Sequence, residues 1–181
     1  MNARRQVTIG LIVGASLLMT GALFIAARQE RRLALRREIW TPLSPAALWA
    51  DLEMAFRDST SSPWWPNALE TLRSNGLATG AEVIATYKTP FGVSTHTYTI
   101  AEYSPGHGFT YLTGPTHPLR GGGRVLLRPT TDGTLLVWSV DYSHRGFSLS
   151  ALFVRFYFAP RFFAWLEDNL RKRAHGGIAP P

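Results

Sequence analysis

The chain has 181 residues, no cysteine and a formal charge of +7, which is one domain's length and excludes disulfides, thiolate catalysis and cysteine-based metal sites. The charge is unevenly placed: residues 1–37 hold seven arginines against Glu30, a net of +6, and the remainder carries only +1. A near-neutral main body excludes a phosphate-binding surface, and with it nucleic acid as a partner.

Residues 1–6 form a short basic tail. Residues 7–27 (VTIGLIVGASLLMTGALFIAA) contain no charged side chain. As a helix rising roughly 1.5 Å per residue, such a run is long enough for a ~30 Å hydrocarbon core, so the expectation is an uncleaved, single-pass transmembrane anchor. A cleaved signal peptide is the rival. It calls for a shorter apolar stretch and a small-x-small cleavage site, whereas Ile25 stands at −3 here. Residues 28–37 then read as a basic juxtamembrane segment running into the first strand. Arg28, Arg31, Arg32, Arg36 and Arg37 are placed there for contact with the membrane surface. The arginine excess after the span favours a cytoplasmic domain; a short basic tail before a first span is also the pattern that sends a domain to the periplasmic or extracellular side.

The domain proper is expected over residues 33–175. Residues 33–41 partly alternate and end at Pro42, as a first strand does. Ser44 and Pro45 then supply a helix cap and a first helical residue, with Leu48, Trp49, Leu52 and Phe56 on one face. Residues 58–63 break this helix, and Trp64-Trp65-Pro66 suggests a second short helical turn. Six strands follow at 68–73, 82–88, 93–103, 108–113, 124–128 and 134–142. The turns between them, such as Ser74-Asn75-Gly76 and Ser104-Pro105-Gly106, carry residues that preset or tolerate the required dihedrals. Their short spacing implies antiparallel pairing. Gly121-Gly122-Gly123 lacks the Lys-Ser/Thr of a P-loop and reads as a bulge or a flexible rim. A long helix from 150 to 174 closes the chain, with a kink expected near 156–160 because Pro160 removes a hydrogen bond. Residues 176–181 are expected to be a disordered tail.

Several local patterns in this order resemble the START-like helix-grip superfamily, and within it the polyketide cyclase/dehydrase and lipid-transport (SRPBCC) family. They are Ile39-Trp40-Thr41-Pro42 through Leu48-Trp49, Trp64-Trp65-Pro66-Asn67-Ala68, Gly76 to Ala81, Glu102-Tyr103-Ser104-Pro105 and Asp132-Gly133-Thr134 through Trp138. Together they span about residues 33–174. The resemblance implies an α+β helix-grip fold: a seven-stranded curved antiparallel sheet around the long C-terminal helix, with two short helices after strand 1. It also implies a hydrophobic cavity for a lipid or apolar small molecule. That family has no universal catalytic set, so no catalytic residue carries over, and no cofactor or metal is implied.

His96, Tyr98 and Ile100 share one strand face, as do Leu136, Trp138, Val140 and Tyr142. Facing the long helix, they would line a cavity whose candidate residues are Trp65, His96, Tyr98, Tyr111, Trp138, Tyr142, Phe153, Phe156, Tyr157 and Phe163. Plain core packing is the competing account of the same residues. His96 is a candidate general base with no carboxylate in sequence reach, and His107, His117 and His144 sit by turns and read as surface residues. Gly146-Phe147-Ser148-Leu149-Ser150 lacks the closing glycine of a nucleophile elbow. Aromatic residues surround the long helix on every side. Phe158, Phe162 and Trp165 are therefore a surplus, destined either for a bilayer interface, with Arg155 and Arg161 snorkelling, or for cover by loops. Three functions stand open: membrane-anchored binding or transport of a hydrophobic or amphiphilic molecule, a cyclase/dehydratase-like enzyme using the same cavity, and a non-catalytic structural or partner-binding membrane protein.

Overall fold

The structure is a computed structural model that describes residues 29–57, 64, 69–89 and 92–176. Seven strands form one antiparallel sheet: β1 (Glu30–Thr41), β2 (Leu69–Ser74), β3 (Glu82–Thr89), β4 (Gly92–Ser104), β5 (Gly108–Thr113), β6 (Arg120–Thr130) and β7 (Gly133–Arg145). Their spatial order is β1-β7-β6-β5-β4-β3-β2, so only β1 departs from a meander. Helix α1 (Pro45–Arg57) follows β1. The C-terminal helical run comprises α2 (Leu149–Phe153), a π-helical turn (Val154–Phe158) and α3 (Ala159–Ala174).

β1 begins earlier than the alternation at 33–41 predicts, at Glu30, and pairs with β7 from Glu30 to Thr41. The stretch read as a juxtamembrane segment is thus largely β-strand. Leu33, Ile39 and Thr41 are buried on its inner face. On the outer face Arg36 pairs with Glu38, whereas Arg37, on the same face as Leu33 and Ile39, reaches Glu167 of α3 at 2.8 Å. Arg31 and Arg32 are exposed. Among the described residues no helix is long and apolar enough to cross a membrane. Residues 7–27 and Arg28, on which the anchor rests, lie outside the described residues. The single-pass membrane placement is corrected accordingly.

The local devices behind the helices are visible. Ser44 Oγ accepts from the Ala47 amide at 3.2 Å, and Ser148 Oγ from the Ala151 amide at 3.2 Å; each satisfies an amide the helix leaves unpaired. At Pro160 the ladder has no N–H to offer. The preceding turn widens, and the Ala159 amide donates to Val154 O, five residues back. The proline is accommodated by this π-turn at the predicted place of the kink. Of the second helical turn expected at 64–66, only Trp64 is described, buried in a turn.

The inner faces of α1 and α3 meet the concave side of the sheet. Leu48, Leu52 and Phe56 from α1 and Phe162, Leu166 and Leu170 from α3 join Ile39, Ile100, Val125, Leu136 and Trp138 in one core. Arg173 of α3 makes an ion pair with buried Asp51 of α1. Burial pushes the Asp51 carboxyl up, and the Arg173 guanidinium works against that. The helical surplus is also corrected. Phe162 is only 8% exposed, and Phe158 and Trp165 pack against the same core. The outward side instead carries Leu149, Leu152, Phe156 and Tyr157, with Phe147 just before the helix. A π-turn has more residues per turn than an α-helix, so a face read at the α-helical period does not carry across it.

Candidate functional site

Between the sheet's concave face and the C-terminal helical run lies an open cleft with a cavity volume of ≈ 120 Å³. Inward-pointing residues of alternate strand positions form its floor: Val83, Ala85 and Tyr87 of β3, Tyr98 and Ile100 of β4, Tyr111 of β5, and Trp138, Val140 and Tyr142 of β7. Val154, Phe158, Phe162 and Phe163 form the roof, and Leu35, Phe56 and Leu72 close the sides. No Asp, Glu, Lys or Arg contributes to the lining. Its polar atoms are four tyrosine hydroxyls and one indole N–H.

Tyr111 owes its position to the glycine run, which lies inside β6 rather than before it: Tyr111 pairs across the ladder with Gly123. A Cβ at Gly123 would stand 2.4 Å from the Tyr111 hydroxyl, and one at Gly122 would stand 1.9 Å from the Tyr111 carbonyl oxygen. The expected bulge or rim is therefore a flat place in the floor on which a phenol ring rests. Trp138 Nε1–H donates to the Tyr111 hydroxyl at 3.2 Å. The rings of Tyr98 and Tyr111 meet edge to face at 5.7 Å.

At the edge of this cluster stands His117, half-buried and not a surface residue. Its Nε2 is 3.5 Å from the Tyr98 hydroxyl and its Nδ1 is 2.7 Å from Leu119 O. The Leu119 amide N–H also points at Nδ1, at 3.0 Å, so this nitrogen faces both a backbone donor and a backbone acceptor. Burial, reinforced by neighbouring His96, pushes the His117 pKa down to about 4 against the pull of the Leu119 carbonyl. His96 itself is lowered by burial; its ring lies 4.4 Å from that of His117 and its Nε2 is 2.9 Å from Ser94 Oγ. Tyr87 is pushed up to about 12 by burial, and burial also raises Tyr98, Tyr111 and Tyr142. At neutral pH the cluster is uncharged. It can donate and accept hydrogen bonds, but it holds no strong base.

Of the residues expected to line a cavity, Tyr98, Tyr111, Trp138, Tyr142 and Phe163 are brought together in the cleft. His96 sits beside it, against His117 and Tyr87. Phe153 stacks on Tyr157 at 5.1 Å, away from the cleft lining, while Phe156 and Tyr157 are 68% and 41% exposed. Trp65 lies outside the described residues. Tyr87, Phe158, Phe162 and His117 were not among the expected set. Tyr87 was findable, because it shares strand parity with Val83 and Ala85. Among the described residues no three His, Asp or Glu side chains gather as a metal site would require.

No family model matches the chain, and no curated protein does. Solved structures do. Ara h 8.0201 is 14% identical, with 78% of this chain and 99% of that one covered at a TM-score of 0.58. One di-domain ARO/CYC protein, StfQ from the steffimycin biosynthetic pathway, is 13% identical over 80% of this chain and 52% of that one, with a TM-score of 0.61. A point mutant of Thalictrum norcoclaurine synthase, in complex with a transition-state analogue, is 12% identical over 82% and 97% at a TM-score of 0.58. At these identities the likeness establishes the fold, a helix-grip sheet closed on its C-terminal helix.

Proposed function

We propose that this chain binds an uncharged hydrophobic or amphiphilic small molecule in the cleft between the sheet and the C-terminal helix. The observation that carries this reading is the lining: apolar and aromatic side chains with a few convergent hydroxyls and no charged group, the composition of a small-molecule site. Burying an ionised group there without a counter-charge would cost several kcal/mol or more, so the occupant is neutral. The synthase and the ARO/CYC protein share this fold, and both names speak of chemistry on small molecules, in keeping with the reading.

A second reading, a cyclase- or dehydratase-like enzyme, has one observation in its favour, the hydrogen-bonded pair Tyr98–His117 at the cleft. Against it, a histidine held near pH 4 is a weak base and the buried tyrosines are weak acids. Binding is the better supported function. Titration of the full chain with the neutral fluorophore N-phenyl-1-naphthylamine tests it. A saturable one-to-one rise in emission is expected, and no saturable signal would overturn the proposal.

A further inference from the structure

A second pocket, of ≈ 170 Å³, lies between the first residues of β1, the last residues of β7 and the start of the C-terminal helical run. It shares no lining residue with the cleft. Its apolar part is Leu33, Phe147, Ala151 and Leu152, of which Leu33 and Ala151 belong to a small core with Leu119 and Tyr142. Its charges are of one sign. Arg31 stands opposite His144 in the β1–β7 ladder, on the inner face with Leu33, and Arg155 comes from the π-turn. Arg32 also contributes to the lining. Among the described residues none of these three arginines has an ion pair, and the Arg155 guanidinium stands 5.5 Å from the centre of the Phe156 ring instead. No Asp or Glu lines the pocket. Glu30 is on the outer face of β1, where Arg145 is its ladder partner. The chain enters beside the pocket, with Gln29 O accepting from the Gly146 amide at 3.0 Å, and residues 1–28 contain no acidic side chain to bring to it.

We propose that this pocket binds a phosphate monoester with a compact apolar body of about a benzene ring's size. The volume sets the size, since a cavity of about 150 Å³ takes benzene. The charge sets the sign: an anion relieves the mutual repulsion of the guanidiniums and supplies the partner they lack. A carboxylate's two oxygens are filled by one guanidinium fork. A phosphate monoester has three terminal oxygens and serves forks from two elements, here Arg31 and Arg155. All three arginines are exposed, so the charged end stays in contact with water while the ring meets Leu33, Ala151 and Leu152. This site is separate from the cleft, and the proposal stands whether or not the cleft is a binding site.

Titration of the full chain with phenyl phosphate, benzoate and inorganic phosphate, followed by amide chemical shifts, tests it. Phenyl phosphate should shift Gly146, Phe147, Ser148 and Arg155 saturably. Inorganic phosphate, lacking the ring, should bind the same residues roughly tenfold more weakly, and benzoate should also bind more weakly. The double variant Arg31→Gln, Arg155→Gln changes two exposed side chains. It should weaken phenyl phosphate roughly fivefold or more and leave the binding of N-phenyl-1-naphthylamine in the cleft unchanged. The absence of saturable shifts at residues 144–155, shifts that persist undiminished in the double variant, or benzoate binding as tightly as phenyl phosphate would each overturn the proposal.

Discussion

Tyr111 lies against Gly123 so closely that a single added carbon at position 123 would overlap its hydroxyl. The glycine is the reason a phenol ring can lie flat in the floor and reach Trp138. Gly123→Ala should drive Tyr111 off this site and cost about 1–3 kcal/mol, as overpacking does. Chemical denaturation reads the stability.

Asp51 and Arg173 join α1 to α3 in a partly buried ion pair, with the carboxylate on the buried side. Arg173→Ala leaves a buried carboxylate without its partner and should cost about 3–5 kcal/mol, whereas replacing both by leucine should be far milder. The pH dependence has a definite sign. The Asp51 carboxyl is raised in the fold, so its favourable contribution is full at low pH and is lost as pH climbs through the raised value. Without Arg173 the carboxyl rises further. Urea unfolding across acidic pH should show Arg173→Ala losing least, relative to the parent chain, at the acid end.

His117 has the opposite sign. Its pKa falls from 6.5 to about 4 in the fold, so the unfolded chain takes up the proton first. Stability conferred by the neutral ring is present above pH 6.5 and is lost as pH falls toward about 4. His96, also lowered, adds to the slope. Thermal unfolding between pH 7 and pH 4 should therefore flatten in His117→Phe.

Phe162 and Phe156 are both helical aromatics, yet one is in the core and the other in solvent. Phe162→Ala should cost about 3–5 kcal/mol, and Phe156→Ala should stay within about 0.5 kcal/mol. Denaturation midpoints of the two variants check which face the π-turn sets inward.

That last contrast marks what a reader of the chain can see. Strand β5 was legible at its observed bounds, because Ser104-Pro105-Gly106 announces a turn and Gly108 to Thr113 follows it at once. The start of β6 was not, because Gly121, Gly122 and Gly123 have no side chains to alternate; their place is set by Tyr111 on the neighbouring strand. Tyr98, Trp138 and Tyr142 were legible as cleft residues from strand parity. Phe153, Phe156 and Tyr157 misled, since an aromatic ring on every helical face hides the phase and a π-turn resets it. His117 carries no local pattern. It reaches Tyr98 only because the Gly114 amide bonds Thr97 O across the sheet and folds the next residues over β4.

The cleft's occupancy is tested most directly by intermolecular nuclear Overhauser effects between bound 2-naphthol and the aromatic side chains of the full chain. Cross-peaks to Tyr98, Tyr111 and Phe162, the floor and roof of the cleft, are predicted. Cross-peaks confined to Phe147 and Phe156 on the outer face, or none at all, would contradict the account.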